Sequence, residues 1–295
     1  MTSSVSVTER RLYPSDISDA RRALIEPVLS AWQEDRLARN PVPQRPRYEL
    51  REIWNALLYL NRTGVQWQYL PHDFPHYQSV NSYYNAWRDE GIFEQLNAGM
   101  TRLARIKAGR DPEPTAAIID TQSVKTSGNV PAASQGTDAG KKIVGRKRGV
   151  VTDTLGLLLA VIVVAASVTE NAAGIQLLSQ ARDAHPQVRR AWADEGFKNQ
   201  VIEHGADLGI NVEVVPRKAG VKGFHVVKRR WVVERTFGWL MMHRRLARDY
   251  EKYPGSSRAM IYLAMIDNTA KRITGETTPT WRNTPQDHQA VTSTL

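Results

Sequence analysis

Apolar residues recur along this chain with two different periods, and the change between them falls near residue 110. From Glu49 to Asn61 they stand at Leu50, Ile53, Trp54, Leu57, Leu58 and Leu60, the spacing of an amphipathic helix. Thr63-Gly64 closes it. Residues 1–14 read as a loose arm. Asp16-Ile17-Ser18-Asp19 offers N-caps for an earlier helix that runs to about Trp32. Between the two, Asn40 to Arg47 is a Pro-rich connector that cannot be helical. Another helix begins near Ser79 with Val80, Tyr83, Tyr84 and Trp87, ends near Gly91, and is followed by one to about Lys107. Arg110-Asp111-Pro112-Glu113-Pro114 breaks the helical pattern. Strands then follow at 115–121, about 143–153 and 156–166. After these come a helix from Asn171 to about Ala184, a strand at 188–194, a helix near 198–208 and a strand at 211–215. A long helix from about 225 to 246 and another from Ser257 to about Ile273 complete the pattern. The polar tail, Thr274 to Leu295, reads as disordered. The pattern predicts a helical domain over 1–110, an α/β domain over 111–273 and a tail over 274–295.

Helix, turn and helix with aromatic and Arg residues on the second helix form either a DNA-docking unit or a plain bundle whose core is Tyr83, Tyr84 and Trp87. Three leading strands joined by short turns, then strands alternating with helices, make a mixed α/β sheet. That is the element order of the RNase-H-like fold, in which the first and fourth strands are central neighbours. Asp120 ends the apolar run Thr115–Ile119, and Asp194 ends Val188–Ala193, so the two would emerge side by side. Glu234 would approach from a helix packed on that sheet. Carboxylates on rigid elements suit two-metal phosphodiester chemistry, in which they hold two Mg²⁺ ions roughly 3.5–4 Å apart. Each acid also has a simpler reading. Asp120 can cap a strand end, Asp194 can form an Asx-turn with Gly196 behind it, and Glu234 can pair with Arg230 one turn earlier. Glu195 alternates to the other face of its strand.

Charge adds a partner. The 295 residues hold 40 Lys+Arg against 30 Asp+Glu, a net +10, with a pI near 9.9. That balance points to a polyanion, nucleic acid first, or to a basic solvated surface. From Arg217 to Arg248 there are ten cations and one acid, Glu234. Lys141, Lys142, Arg146, Lys147 and Arg148 put five cations in eight residues. On a hairpin beside Asp120 they would grip phosphates; as a solvated turn they would not. The chain has no cysteine, which excludes disulfides and thiolate zinc sites and fits a reducing cytosol. Its most apolar run, Leu157 to Val168, is too short to span a membrane, and its N-terminus has no secretory core. His72 and His225 have no partner at metal-ligand spacing and read as structural.

Six stretches, in order, carry a resemblance. They are Arg62-Thr63-Gly64-Val65-Gln66-Trp67 with Leu70-Pro71-His72-Asp73-Phe74-Pro75; Ile119-Asp120-Thr121-Gln122-Ser123-Val124-Lys125-Thr126; Gly140 to Arg148; Asp153-Thr154-Leu155-Gly156-Leu157; Trp192-Ala193-Asp194-Glu195-Gly196; and Arg230 to Leu240. From about Tyr48 to Glu251 the chain resembles the Asp-Asp-Glu transposases of bacterial insertion sequences, family five. The resemblance implies an RNase-H-like catalytic core with Asp120, Asp194 and Glu234 holding two Mg²⁺ ions, for which Mn²⁺ can substitute. It implies cutting at the element ends and joining them to target DNA. The partners implied are double-stranded DNA, as terminal inverted repeats and target, and a second copy of the chain on that DNA. The setting implied is the bacterial cytoplasm, at the nucleoid. In the related family-four enzymes the last helix carries a Tyr-Arg-Glu-Lys signature with two, three and six residues between its members. Arg230 and Glu234 match it; Val227 and Met241 stand at the Tyr and Lys positions. Arg245, eleven residues after Glu234, would lie on the same helical face and could replace the Lys. Trp231 either stacks on an unpaired base, as the related tryptophan does, or faces the core. Lys125 joins Lys141, Lys142, Arg146, Lys147, Arg148, Arg230, Trp231 and Arg245 as an expected DNA contact. Asn81, Tyr84, Asn85 and Arg88 on one helix are expected to read the ends. Two rivals remain: an RNase-H-like nuclease without strand transfer, and a non-catalytic DNA-binding protein of transposase descent.

Overall fold

Ser18 starts the first helix: its Oγ accepts from Arg21 N at 3.2 Å, and α1 runs Asp19–Ala38. The computed structural model describes residues 10–39, 48–215 and 230–277. The Pro-rich connector at 40–47, His225, Val227, the cations from Arg217 to Arg229 and the tail from 278 onward lie outside the described residues, as do residues 1–9. α2 spans Leu50–Thr63 and ends on Gly64 at φ +74°, whose N–H donates to Leu60 O at 3.0 Å. Only glycine takes that conformation cheaply, and a Cβ there would also press on Arg244 at 3.2 Å. A 3₁₀ turn at Trp67–Tyr69 leads to α3 (Tyr77–Asp89) and α4 (Ile92–Lys107).

The sheet follows in the expected order. Its strands are β1 (Ala116–Lys125), β2 (Gly136–Asp138), β3 (Ile143–Asp153), β4 (Leu158–Ala165), β5 (Arg190–Ala193) and β6 (Asn211–Val214). β3 pairs antiparallel with β1 on one side and with β2 and β4 on the other; β5 runs parallel to β1, and β6 parallel to β5. This is a mixed RNase-H-like sheet flanked by helices. The tight β3–β4 turn explains one quoted stretch: buried Asp153 accepts from Leu155 N at 2.9 Å and Leu157 N at 2.8 Å. Two things differ from the periodicity. β1 runs on to Lys125 because β3 pairs with its whole length, and β2 is too short to leave a pattern.

α5 (Glu170–Ala184) and α6 (Asn199–Asp207) cover one face, packing Leu177, Phe197 and Val201 on Ile119, Val151 and Ile162. α7 (Trp231–Met241) and α8 (Pro254–Thr274) cover the other, over Ile118, Val150 and Val161. That second core runs without a break into α1–α4, through Trp54, Trp87 and Phe93. α8 is buried on nearly every side. Buried bonds cross from the N-terminal helices: Asn61 Nδ2 to Met260 O at 2.9 Å, Tyr84 Oη to Ser256 O at 2.5 Å, and Asn97 Nδ2 to Leu158 O at 2.8 Å. The sequence break near 110 is therefore not a break in the core. Nor does the long helix expected from about 225 run to 246. α7 ends at Met241, and after it His243 turns inward and a 3₁₀ turn covers Arg244–Leu246. Among the described residues no helix is long and apolar enough to cross a membrane.

Candidate active site

Register brings the first two acids together. β1 and β5 pair in parallel with Ile118 opposite Trp192. Two residues further along each chain stand Asp120 and Asp194, so both emerge at the same end of adjacent strands, on the side that α7 covers. Glu234 lies in the first turn of α7, and its N–H donates to Arg230 O at 3.3 Å. One atom joins all three acids. Arg230 Nη2 is 3.4 Å from Asp120 Oδ2, 3.5 Å from Asp194 Oδ2 and 3.8 Å from Glu234 Oε1. Arg230 is itself buried, at 3% exposure, so this cation is committed to the carboxylates and not to water.

Backbone groups orient the other carboxylate oxygens. Asp120 Oδ1 accepts from Thr121 N at 2.7 Å, and Asp194 Oδ1 accepts from Gly196 N at 3.0 Å. The Gly196 bond is the Asx-turn that the sequence offered as the simpler reading of Asp194. Burial, then the neighbouring charge of Asp194, raise the Asp120 pKa to about 6. Arg230, the Thr121 N–H and Lys141 pull it down, but they do not prevail.

The expected cations divide. Lys125, Lys141 and Lys142 are exposed. Lys141 faces the site, with Nζ 3.8 Å from Glu170 Oε1. Arg146, Lys147 and Arg148 are not on an exposed hairpin, and this corrects the phosphate-grip expectation: all three are buried within β3. Arg146 donates to Ser134 O, Glu251 O and Lys252 O and pairs with Asp249 at 3.3 Å. Lys147 Nζ donates to Val168 O at 2.6 Å. Arg148 Nη1 donates to Leu246 O at 2.6 Å, and burial lowers its pKa to about 10. Each of these side chains reaches a backbone carbonyl of another segment. Arg245 is a second correction. It is buried, pairs with Glu251 at 2.6 Å and donates to Val65 O at 2.9 Å, because the helix that would have aligned it with Glu234 has already ended.

On α3, Tyr84 is buried and cannot read a base. Arg88 is half-buried and donates to Asn85 Oδ1 at 2.8 Å and to Ser256 Oγ at 2.7 Å, which ties α3 to the start of α8. Trp231 is 39% exposed and not in the core, with the Arg235 guanidinium 4.3 Å from its ring centre. Glu170, which the sequence pattern does not single out, also borders the site: Thr121 Oγ1 donates to its Oε1 at 3.5 Å.

Three carboxylates gathered on one cation are a hard-oxygen donor set of the kind that divalent ions such as Mg²⁺ and Mn²⁺ take. Among the described residues no three His, Cys, Asp or Glu side chains stand at the mutual spacing of a single metal shell. What the three share in this structure is Arg230.

This strand order, with acids on adjacent parallel strands and a third on a covering helix, defines the RNase-H-like class. Residues 111–268 match the family described as a transposase DDE domain, and residues 17–97 match putative transposases of the IS4/5 family. The chain belongs to the DDE transposases of the IS4/5 family, so its activity is that of a transposase and its partner is DNA. Comparison with curated proteins gave no match.

Proposed function

We propose that the chain cuts DNA at the ends of an insertion sequence and joins those ends to target DNA by direct phosphoryl transfer. The observation that carries this reading is the convergence of Asp120, Asp194 and Glu234 on Arg230. Transposases of this family use a divalent metal. In the proposal Asp120, Asp194 and Glu234 hold two such ions, Mg²⁺ or Mn²⁺. When bound, the ions supply Lewis acidity that favours deprotonation of the attacking hydroxyl and balances charge on the leaving oxygen.

The protein's own groups then have distinct tasks. Asp120, the most buried of the three acids, must be ionised to serve as a ligand, and burial beside Asp194 opposes that ionisation until a cation binds. Arg230 pairs with the three carboxylates in the metal-free chain, and in the proposal it turns to a phosphate oxygen once the metal ions take those acids. Lys125, Lys141 and Lys142 offer exposed ammonium groups for the flanking phosphates, and Trp231 offers a partly exposed ring for a displaced base. End recognition by the N-terminal helices is supported by the polar ladder Asn81–Asn85–Arg88 on α3, where Asn85 Nδ2 donates to Asn81 Oδ1 at 2.8 Å. Two ends joined in one event call for a dimer on DNA.

The test is incubation with Mg²⁺ and a plasmid carrying the inverted repeats that flank the reading frame. Excised and joined products are expected. Cleavage with no joined product would replace the proposal by a nuclease, and end binding without cleavage would replace it by a DNA-binding protein.

A further inference from the structure

Arg62 opens one of the quoted stretches, Arg62 to Trp67, and the catalytic site makes no use of it. It stands in the last turn of α2. With Pro14 and Ser15 before α1, His243 after α7, and Asp267 and Lys271 on α8, it lines a cavity of about 80 Å³. One water needs about 10–15 Å³ by the same measure, so a tetrahedral oxyanion fits. The walls offer donors. His243 is 1% exposed, and neither ring nitrogen has a hydrogen-bond partner among the described residues. Asn268 stands near the ring without bonding to it. Ser15 Oγ and Arg62 Nη1 are likewise shut from solvent and unpartnered. Asp267 cannot serve Arg62, because Arg21 Nη1 takes its Oδ1 at 2.8 Å and Lys271 Nζ its Oδ2 at 2.6 Å. Burial lowers the Arg62 pKa, with Asp267 opposing, and burial lowers that of His243 to about 4. Two cations and a neutral imidazole thus face one space with a single carboxylate, already saturated.

We propose that this cavity binds one tetrahedral oxyanion of the phosphate class, held by Ser15, Arg62, His243 and Lys271. Arginine and lysine donate to such a group by charge-assisted hydrogen bonds. The anion would tie the segment before α1 to α2, to the turn after α7 and to α8. Free inorganic phosphate and a backbone phosphate of bound DNA share this chemistry. The proposal does not depend on the metal reading of Asp120, Asp194 and Glu234. The competing reading is water that completes the same hydrogen bonds.

The test compares melting of the full chain in inorganic phosphate and in chloride at equal ionic strength. Phosphate at ten times its dissociation constant should raise the melting temperature of the wild type by roughly 3 °C. The His243 ring resonances, identified by their loss in His243→Gln, should shift along the same saturation curve. Arg62→Met should bind phosphate at least about tenfold more weakly by both readouts. In chloride it should melt no lower than the wild type, since it removes a partly buried cation that has no carboxylate to pair with. If Arg62→Met fails to melt cooperatively, the wild-type ring resonances decide alone. An equal effect of phosphate on Arg62→Met and wild type would assign anion binding to the basic surface and overturn the site. Ring resonances unmoved by phosphate and by DNA would overturn it too, leaving a cavity that holds water only. A ring shift reproduced by a short DNA duplex supports the site with backbone phosphate as its source, and a shift with phosphate alone supports it with the free anion.

Discussion

At the scale of single residues, Asp120 carries both a chemical and a stability consequence. Asp120→Asn removes a negative ligand and conserves shape. It should lower Mg²⁺-dependent cleavage by about 10³-fold, the scale on which loss of one charge-stabilising group acts, while affinity for end DNA is kept. Undiminished cleavage by the purified variant would remove Asp120 from the chemistry. The same substitution should stabilise the fold at neutral pH. The Asp120 pKa is raised from 3.8 in the unfolded chain to about 6 in the fold. The folded state therefore binds the proton more tightly, and stability falls as pH rises from about 3.8 through about 6. Above that window the ionised carboxyl costs the fold on the order of 3 kcal/mol, at about 1.4 kcal/mol per pKa unit. Asn carries no such cost. In urea unfolding with EDTA present, the variant should be more stable than the wild type at pH 7.5, and the gap should close by pH 4. A gap independent of pH would mean that Asp120 titrates normally.

At the scale of elements, β3 shows how a basic run becomes structure. Its centre is hydrogen-bonded on both sides, so its long side chains must run along the faces of the sheet to reach carbonyls elsewhere. Arg146 does this for the segment around Asp249–Lys252. Arg146→Ala would leave the Asp249 carboxylate, also buried, without its cation. Breaking such a pair costs about 3–5 kcal/mol, and the loss should appear in the denaturation midpoint. The salt dependence of DNA binding should not change. Full stability with a flattened salt slope would return Arg146 to the DNA surface. The exposed turn before β3 should behave in the opposite way. Replacing Lys141 and Lys142 together by Ala should leave the melting curve alone and reduce the slope of log K against log salt by about 0.9 for each phosphate that is no longer neutralised. An unchanged slope would assign both lysines to solvent.

At the scale of the whole molecule, α8 is the shared support. It packs on α1–α4 on one side and toward β4 on the other, with Met260, Ile261, Leu263 and Ile266 in a single core with Trp54, Trp87 and Phe93. A fragment of residues 1–110 lacks α8 and would expose the apolar faces that it covers. That fragment is expected to aggregate, or to melt without cooperativity, by circular dichroism and size exclusion. A monomeric, cooperatively melting fragment would show that the N-terminal helices need no partner. Tyr84 and Arg88 on α3 bond to Ser256 in the first turn of α8, which fixes the N-terminal helices to this shared support.

The local features of this protein are legible in its sequence because their causes are local. Leu50, Ile53, Trp54 and Leu57 recur at the helical period, which defines α2, and Gly64 ends it where a left-handed residue is required. Thr115–Ile119 and Val188–Ala193 read as strands that end on acids, and the element order is that of the RNase-H-like fold, in which those strands are neighbours, as β1 and β5 are here. Charge is legible only as a sum. Arg148 and Lys142 are the same kind of residue in the same run, yet one lies wholly inside and the other in solvent. What separates them is the partner strand on each side of β3 and a carbonyl at Leu246, nearly a hundred residues away. Arg245 departs from its expected place because helical spacing does not continue past Met241, where inward-turning His243 and the pairing with Glu251 end it. Glu170 carries no signal in the sequence because it meets Thr121 and Lys141 only through the packing of α5 beside β1. Periodicity reports which face a residue takes on its own element; which groups face one another across elements is decided when the buried polar atoms find partners, and that happens only in the folded chain.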